Sequence, residues 1–387
     1  MRNIGTAGPN GRGRKVAGMF GLGIVLGGAV VAGSVEGIVR FSGAEPPAAD
    51  LAATPEDALA PHDAEVRLTG SDWDLPNLDH PRVDYWVERF TTDKREEFAG
   101  FLSRSGAYAS MISTKLAERG MPQDLIYLAM IESGFKPRAY SRAHASGLWQ
   151  FIRETGERYG LEVNNAVDER NDPEKATDAA LDYLTNLHDR FGSWYLAAAG
   201  YNTGENRVAR IMRQEADYYR IWSRLPRETR DYVPLMVAAA RISKEPEKYG
   251  FGEVRIEAPL AYDTVTVEPA TPLAAIARAA DTTVDEIKRL NPHFKLNRTR
   301  NDMSVAVRVP VGGAESFATN WPDMRQEVQL ASAESTATAE SRSYRVRKGD
   351  NLTVIARRHG VTIAAIRQEN GLRGDRIRAG STLRIPG

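Results

Sequence analysis

The 387-residue chain contains no cysteine. That absence excludes disulfides, thiolate nucleophiles, thiolate metal sites and a lipid-modified N-terminal cysteine. Net charge is absent too: 51 basic and 51 acidic side chains cancel, which argues against nucleic-acid binding along the whole chain. Between residues 80 and 250 there is no clear alternation of apolar and polar residues, so that stretch carries no strand signal. What is present is ordinary in bulk. An apolar content of 42% and a charged content of 26% exclude wholesale disorder, and the length suits two or three domains.

The charge is unevenly spread. The first fifteen residues carry Arg2, Arg12, Arg14 and Lys15 with no acid, and residues 16–35 then run without a charge. At about 1.5 Å per residue, that run as a helix would just span the roughly 30 Å of bilayer hydrocarbon. Its six glycines weaken it as a helix, and Val31-Ala32-Gly33 has the small side chains of a cleavage site. Residues 1–35 therefore read as a secretory signal peptide or an uncleaved inner-membrane anchor, with the remainder exported to the periplasm or cell envelope. A buried core helix would leave the basic head unexplained. Residues 36–79 set ten acids against Arg40 and Arg67, among alanines and prolines, and read as a solvated acidic linker.

Residues 80–250 show helical periodicity, punctuated at Gly120, Gly134, Asp172-Pro173, Gly192, Gly204 and Pro226, which predicts a bundle of about eight helices. One segment, DLIYLAMI at 124–131, is apolar nearly all round and predicts a buried helix, with Asp124 in its first turn. Glu132 follows in the last turn, before Gly134 as the stop. Burial and the negative end of the helix dipole both raise a carboxyl's pKa there, which suits a general acid. The alternative is a glutamate that reaches solvent or Arg138. Further on lie Ser141, Gly147-Leu148-Trp149-Gln150-Phe151, Ala199-Gly200-Tyr201-Asn202-Thr203-Gly204 and Arg227-Glu228-Thr229-Arg230-Asp231-Tyr232. Each is a backbone break with an aromatic ring beside an amide, acid or hydroxyl, as carbohydrate clefts require, although Trp149 and Tyr201 taken singly also suit a core.

In this order, the motifs IESGFKPRAYSRAHASGLWQF, Val167 to Pro173, AGYNTGENRV and PRETRDYVP resemble the lytic transglycosylases with a lysozyme-like catalytic domain of the soluble-lytic-transglycosylase type. The resemblance covers about residues 124–234. It implies an all-α lysozyme-like domain in which Glu132 is the catalytic acid and base. Ser133, Ser141, Gln150, Tyr201, Asn202, Glu228 and Tyr232 would then contact the glycan. Gly200 stands where the family commonly has alanine, and Asn171 interrupts a usual arginine pair. Ordinary glycosidases flank the scissile bond with two carboxylates about 5–9.5 Å apart. Here the other acids have local explanations: Asp172 caps a helix opened by Pro173, and Asp168 and Glu169 with Arg170 suit a surface ion cluster. Glu228 is the hardest to dismiss. The resemblance implies that one carboxyl suffices. It cleaves peptidoglycan between N-acetylmuramic acid and N-acetylglucosamine and leaves a 1,6-anhydro end, with no metal or cofactor. Lysozyme-type hydrolysis and a non-catalytic peptidoglycan scaffold remain alternatives.

Residues 344–387 predict a small β-α-α-β unit. Tyr344-Arg345-Val346 forms a first strand, Leu352, Ile355 and Ala356 one helical stripe, Ile363 and Ile366 a second, and Leu383 to Ile385 the closing strand. The pattern resembles the LysM fold, which implies glycan binding near Gly349, Asp350, Asn351 and Asn370. Residues 258–311 resemble a degenerate copy, with Pro269 and Pro272 in place of a Gly-Asp turn. Residues 312–343 between them read as a linker. The expected partners are peptidoglycan strands and, if the N-terminal segment is uncleaved, the membrane. No nucleic acid is expected, and the chain is expected to be a monomer.

Overall fold

The computed structural model describes residues 73–77, 79–212, 217–338 and 342–386, and the chain divides into two compact units, Met1–Leu260 and Ala261–Gly387. The apolar run at 16–35 and residues 36–72 of the expected linker at 36–79 lie outside the described residues; the end of that linker is not solvated, since Leu75 is buried and Asn77 accepts from Arg241. Among the described residues, no helix is long and apolar enough to cross a membrane.

The first unit is helical, with nine α-helices among the described residues. They are α1 (Pro81–Thr91), α2 (Arg95–Glu118), α3 (Ile126–Ser133), α4 (Arg153–Arg158), α5 (Pro173–Phe191), α6 (Trp194–Thr203), α7 (Glu205–Met212), α8 (Tyr218–Ile221) and α9 (Arg227–Lys244). The one-turn α8 accounts for the count beyond eight. Helix α2 turns Phe98, Phe101, Leu102, Ser105, Ala109, Ile112 and Leu116 inward, one stripe at helical spacing. Helix α3 buries every residue from Ile126 to Ile131 because it packs between α2 and α9. Asp124 sits in a 3₁₀ turn just ahead of α3. It is buried, ion-paired with Lys244 at 2.8 Å, and accepts the backbone N–H groups of Asp74 and Leu75 at 3.0 Å each.

Helix α9 contains Pro234, which cannot donate to the carbonyl of Arg230. That carbonyl instead accepts from Trp222 Nε1 at 2.7 Å and Tyr218 Oη at 3.1 Å, so the helix continues without an orphaned acceptor. Helix α5 begins as expected, with Asp172 accepting from the N–H groups of Glu174 and Lys175. Helices α5 and α6 approach so closely that a Cβ on Gly200 would lie 2.9 Å from Phe191 Cε2 and 3.0 Å from Leu187 Cδ2. The Phe191 ring thus occupies the space an alanine would need.

The second unit holds two small modules. In the first, β1 (Asp263–Val267) pairs antiparallel with β2 (Val305–Val309) around α10 (Leu273–Ala279) and α11 (Val284–Leu290). In the other, β3 (Arg342–Arg345) pairs antiparallel with β4 (Thr382–Ile385) around α13 (Leu352–His359) and α14 (Ile363–Glu369). The expected stripes lie inside: Leu352, Ile355, Ala356, Ile366, Leu383 and Ile385 form one core, with Ile363 packed against it. The segment expected as a linker differs. Most of it is α12 (Gly313–Thr338), which packs on α10 and β1 and buries Phe317. Its alanine, glutamate, glutamine and methionine content looks low in complexity yet favours helix.

Candidate active site

Helix α3 ends at Gly134, left-handed at φ 58°, and Phe135 continues the left-handed turn at φ 57° while fully buried. Arg104 of α2 donates from Nε to the Gly134 carbonyl at 2.6 Å and fixes that turn. Glu132 sits just before it. Part of its surface stays open, while its carboxyl lies deep among protein atoms. Tyr232, one turn into α9 and itself buried, donates from Oη to Glu132 Oε1 at 2.6 Å. Burial pushes the Glu132 pKa up to about 7; the Tyr232 hydrogen bond holds it lower, and the charge of Glu228 raises it.

Tyr201 stands close enough to Glu132 for its charge to act on the phenol, which burial already holds well above the usual value. Its Oη donates to the Trp149 carbonyl at 2.8 Å. Asn202 is buried and its Oδ1 accepts from Thr229 Oγ1 at 2.9 Å. Its Nδ2 and Glu228 Oε1 are both buried without a hydrogen bond of normal geometry, although Asn202 lies near enough to oppose the rise that burial imposes on Glu228. Glu132, Tyr201, Asn202, Glu228 and Tyr232 thus form one cluster, carried by α3, α6 and α9. Together they supply one carboxyl that holds its proton near neutral pH, a donor fixed on its inner oxygen, and a buried donor and acceptor beside it whose hydrogen bonds are not satisfied.

The remaining expected residues serve the walls. Ser133 Oγ donates to the Leu148 carbonyl at 2.8 Å and ties α3 to the Gly147–Phe151 loop. Ser141 Oγ accepts from Ala145 N at 3.0 Å. Gln150, left-handed at φ 49°, donates from Nε2 to the carbonyls of Gly147 at 2.9 Å and Ala139 at 3.2 Å. In the same loop Gly147 has φ 89°, and a Cβ there would fall 1.7 Å from the Arg170 carbonyl, so only glycine fits.

One expectation is overturned. Asp168 and Arg170 are not a surface cluster but are 8% and 5% exposed, joined by two hydrogen bonds of 2.9 and 2.7 Å. Arg170 Nη1 also donates to the carbonyls of His144 and Phe151, so the pair clamps the loop that faces Glu132. Such a pair endures because each guanidinium nitrogen has an acceptor. Arg104 and Thr229 went unnoticed in the sequence. Thr229 lies within a recognised motif, whereas nothing local marks Arg104, 30 residues before its acceptor.

In the last module the residues expected to meet glycan are engaged within the fold. Asp350 accepts from Tyr344 Oη at 2.7 Å and from Arg347 N at 2.8 Å. Asn351 caps α13 through Val354 N, and Asn370 bonds both the carbonyl and the N–H of Arg384. Gly349 adopts φ 93° in the turn ahead of α13.

The helical unit and its cluster define a lysozyme-like domain: residues 110–221 match the model of the transglycosylase SLT domain. Residues 344–386 match the LysM domain, and residues 261–326 match the LysM-like domain of lytic transglycosylase MltD, which takes in the start of α12. The chain therefore carries an SLT domain followed by two LysM-type modules, and it is similar to the membrane-bound lytic murein transglycosylases. The D enzyme of Escherichia coli K12 is 33% identical over 295 residues, covering 73% of this chain and 64% of the relative. The C enzyme of Haemophilus ducreyi is 26% identical over 161 residues, 38% of this chain and 43% of its own. The chain thus spans under two thirds of the length of these relatives. The solved 70 kDa soluble lytic transglycosylase of Escherichia coli overlaps 44% of this chain and 29% of its own, at 23% identity and a TM-score of 0.34.

Proposed function

We propose that this chain is a peptidoglycan lytic transglycosylase of the cell envelope, exported by residues 1–35 and held on the wall by its LysM modules. The observation that carries the reading is a single deep carboxyl, Glu132, titrating near 7 with its inner oxygen fixed by Tyr232. With Oε1 engaged, the other oxygen is left to give its proton to the glycosidic oxygen between N-acetylmuramic acid and N-acetylglucosamine. The C1–O bond breaks, and the substrate's own N-acetyl group stabilises the cationic carbon, so no second protein carboxylate is required. The Glu132 carboxylate then takes the proton of the muramyl C6 hydroxyl as O6 closes on C1. A 1,6-anhydro end forms, Glu132 is again protonated, and no water is consumed. The buried, unsatisfied donor of Asn202 and acceptor of Glu228, beside Glu132, suit an amide or hydroxyl group of the sugar.

The test is the Glu132→Gln variant on purified sacculi together with mass analysis of wild-type products. Turnover should vanish in the variant and anhydromuramyl ends should dominate in the wild type. Reducing ends would instead mean that water attacks, with Glu228 as the second carboxyl. Appreciable turnover in the variant would refute the assignment.

A further inference from the structure

The two small modules share one fold and differ in charge. Each uses an asparagine after its second helix to hold the last strand: Asn291 bonds the N–H and carbonyl of Arg308, and Asn370 those of Arg384. The registers match as well, with Thr264 opposite Arg308 and Thr266 opposite Ala306 in one, and Ser343 opposite Arg384 and Arg345 opposite Thr382 in the other. Residues 261–326 contain eight basic and eight acidic side chains, whereas residues 344–387 contain ten and three, a net +7. The fold closes at zero charge, so it does not require this excess, which adds self-repulsion to the compact state.

Nine of the ten cations are arginines. Arg358 lies 3.9 Å from Asp350 and Arg367 lies 3.6 Å from Asp375. The other eight are exposed and form no ion pair among the described residues. Tyr344, Val346, Leu383 and Ile385 face the core, so Arg345 and Arg384 project from the opposite face of the sheet. They are diagonal neighbours, at a spacing of about 7–8 Å. Guanidinium forks match carboxylates two oxygens at a time. A lipid surface fits less well, because membrane docking buries large apolar side chains and the module exposes only Val354 among them.

We propose that the outer sheet face of this module, centred on Arg345 and Arg384, binds the carboxylate-bearing stem peptides of peptidoglycan. This rests on the peptidoglycan reading above. The face docks the chain on peptide-substituted wall and discriminates it from bare glycan.

The experiment measures binding of the full chain carrying E132Q, which leaves sacculi uncut, against the same chain with R345Q and R384Q added. The probes are intact sacculi and sacculi stripped of stem peptides by an amidase, with the lactyl carboxylates that this frees converted to neutral amides, at low and high salt. On intact sacculi the added substitutions should weaken binding roughly tenfold, and high salt should remove the difference. On stripped glycan the two chains should bind alike. Equal loss on both probes, salt-insensitive binding, or charge-dependent capture by phosphatidylglycerol vesicles without capture by sacculi would each overturn the proposal. Turnover of sacculi by the chain with Glu132 intact reports separately on the enzymatic reading, so a failed docking face and a failed enzyme are distinguishable.

Discussion

A buried acid that holds its proton near neutral pH destabilises the fold above that pH, and Glu132→Gln measures by how much. The carboxyl titrates at about 7 in the folded chain against 4.5 for a free glutamate. That gap is worth about 3 kcal/mol. Its sign follows from which state holds the proton more tightly. The folded carboxyl does, so the stability it contributes is fully present below about pH 4.5 and is lost as the pH rises through 7. Glutamine resembles the protonated acid at every pH and still accepts the Tyr232 hydrogen bond. The variant and the wild type should therefore melt alike at pH 4. The variant should then gain steadily between pH 4.5 and 7, and melt higher by roughly 6–12 °C at pH 8 for a unit of this size. Calorimetry or near-ultraviolet circular dichroism of the helical unit, scanned at pH 4, 6 and 8, supplies the readout. A melting difference that does not change with pH, or that appears only at pH 4, would refute the claim that burial governs this carboxyl.

Three further outcomes follow from the same geometry. Tyr232→Phe removes the donor that favours the Glu132 carboxylate, so the alkaline limb of the pH–rate profile should move up from about 7 by on the order of one pH unit; an unmoved or lowered limb counts against the contact. Gly200→Ala should cost about 1–3 kcal/mol through overpacking against Phe191 and Leu187, read as a lower melting temperature, and a neutral result would mean that α5 and α6 yield easily. Asp168→Ala strands the buried Arg170 guanidinium and should cost about 3–5 kcal/mol in denaturant titration; a loss typical of an exposed pair, below about 1 kcal/mol, would return the pair to the surface.

Local order explains what was legible in the sequence. A seven-residue apolar run before Glu132, a glycine two residues after it, and Asp172 before Pro173 each specify a helix or its end through neighbours a few residues away. The same holds for the stripes of the two small modules, where helical and strand periods differ. The motifs pointed to Glu132 for the same reason, since they are short and contiguous.

Which polar side chain meets which partner was settled by tertiary structure. Asp168 and Arg170, two residues apart in a charged loop, have the local look of a solvated pair. They are buried because the carbonyls of His144 and Phe151, from another part of the chain, complete the guanidinium's hydrogen bonds. Asp350, Asn351 and Asn370 sit in turns as binding residues do, yet their hydrogen-bonding capacity is used on Tyr344, α13 and β4. Residue type and spacing fixed where a carboxyl sits on its helix. The proton affinity of that carboxyl depends on burial by α2 and α9 and on a tyrosine 100 residues away, because desolvation and hydrogen bonding act through space rather than along the chain.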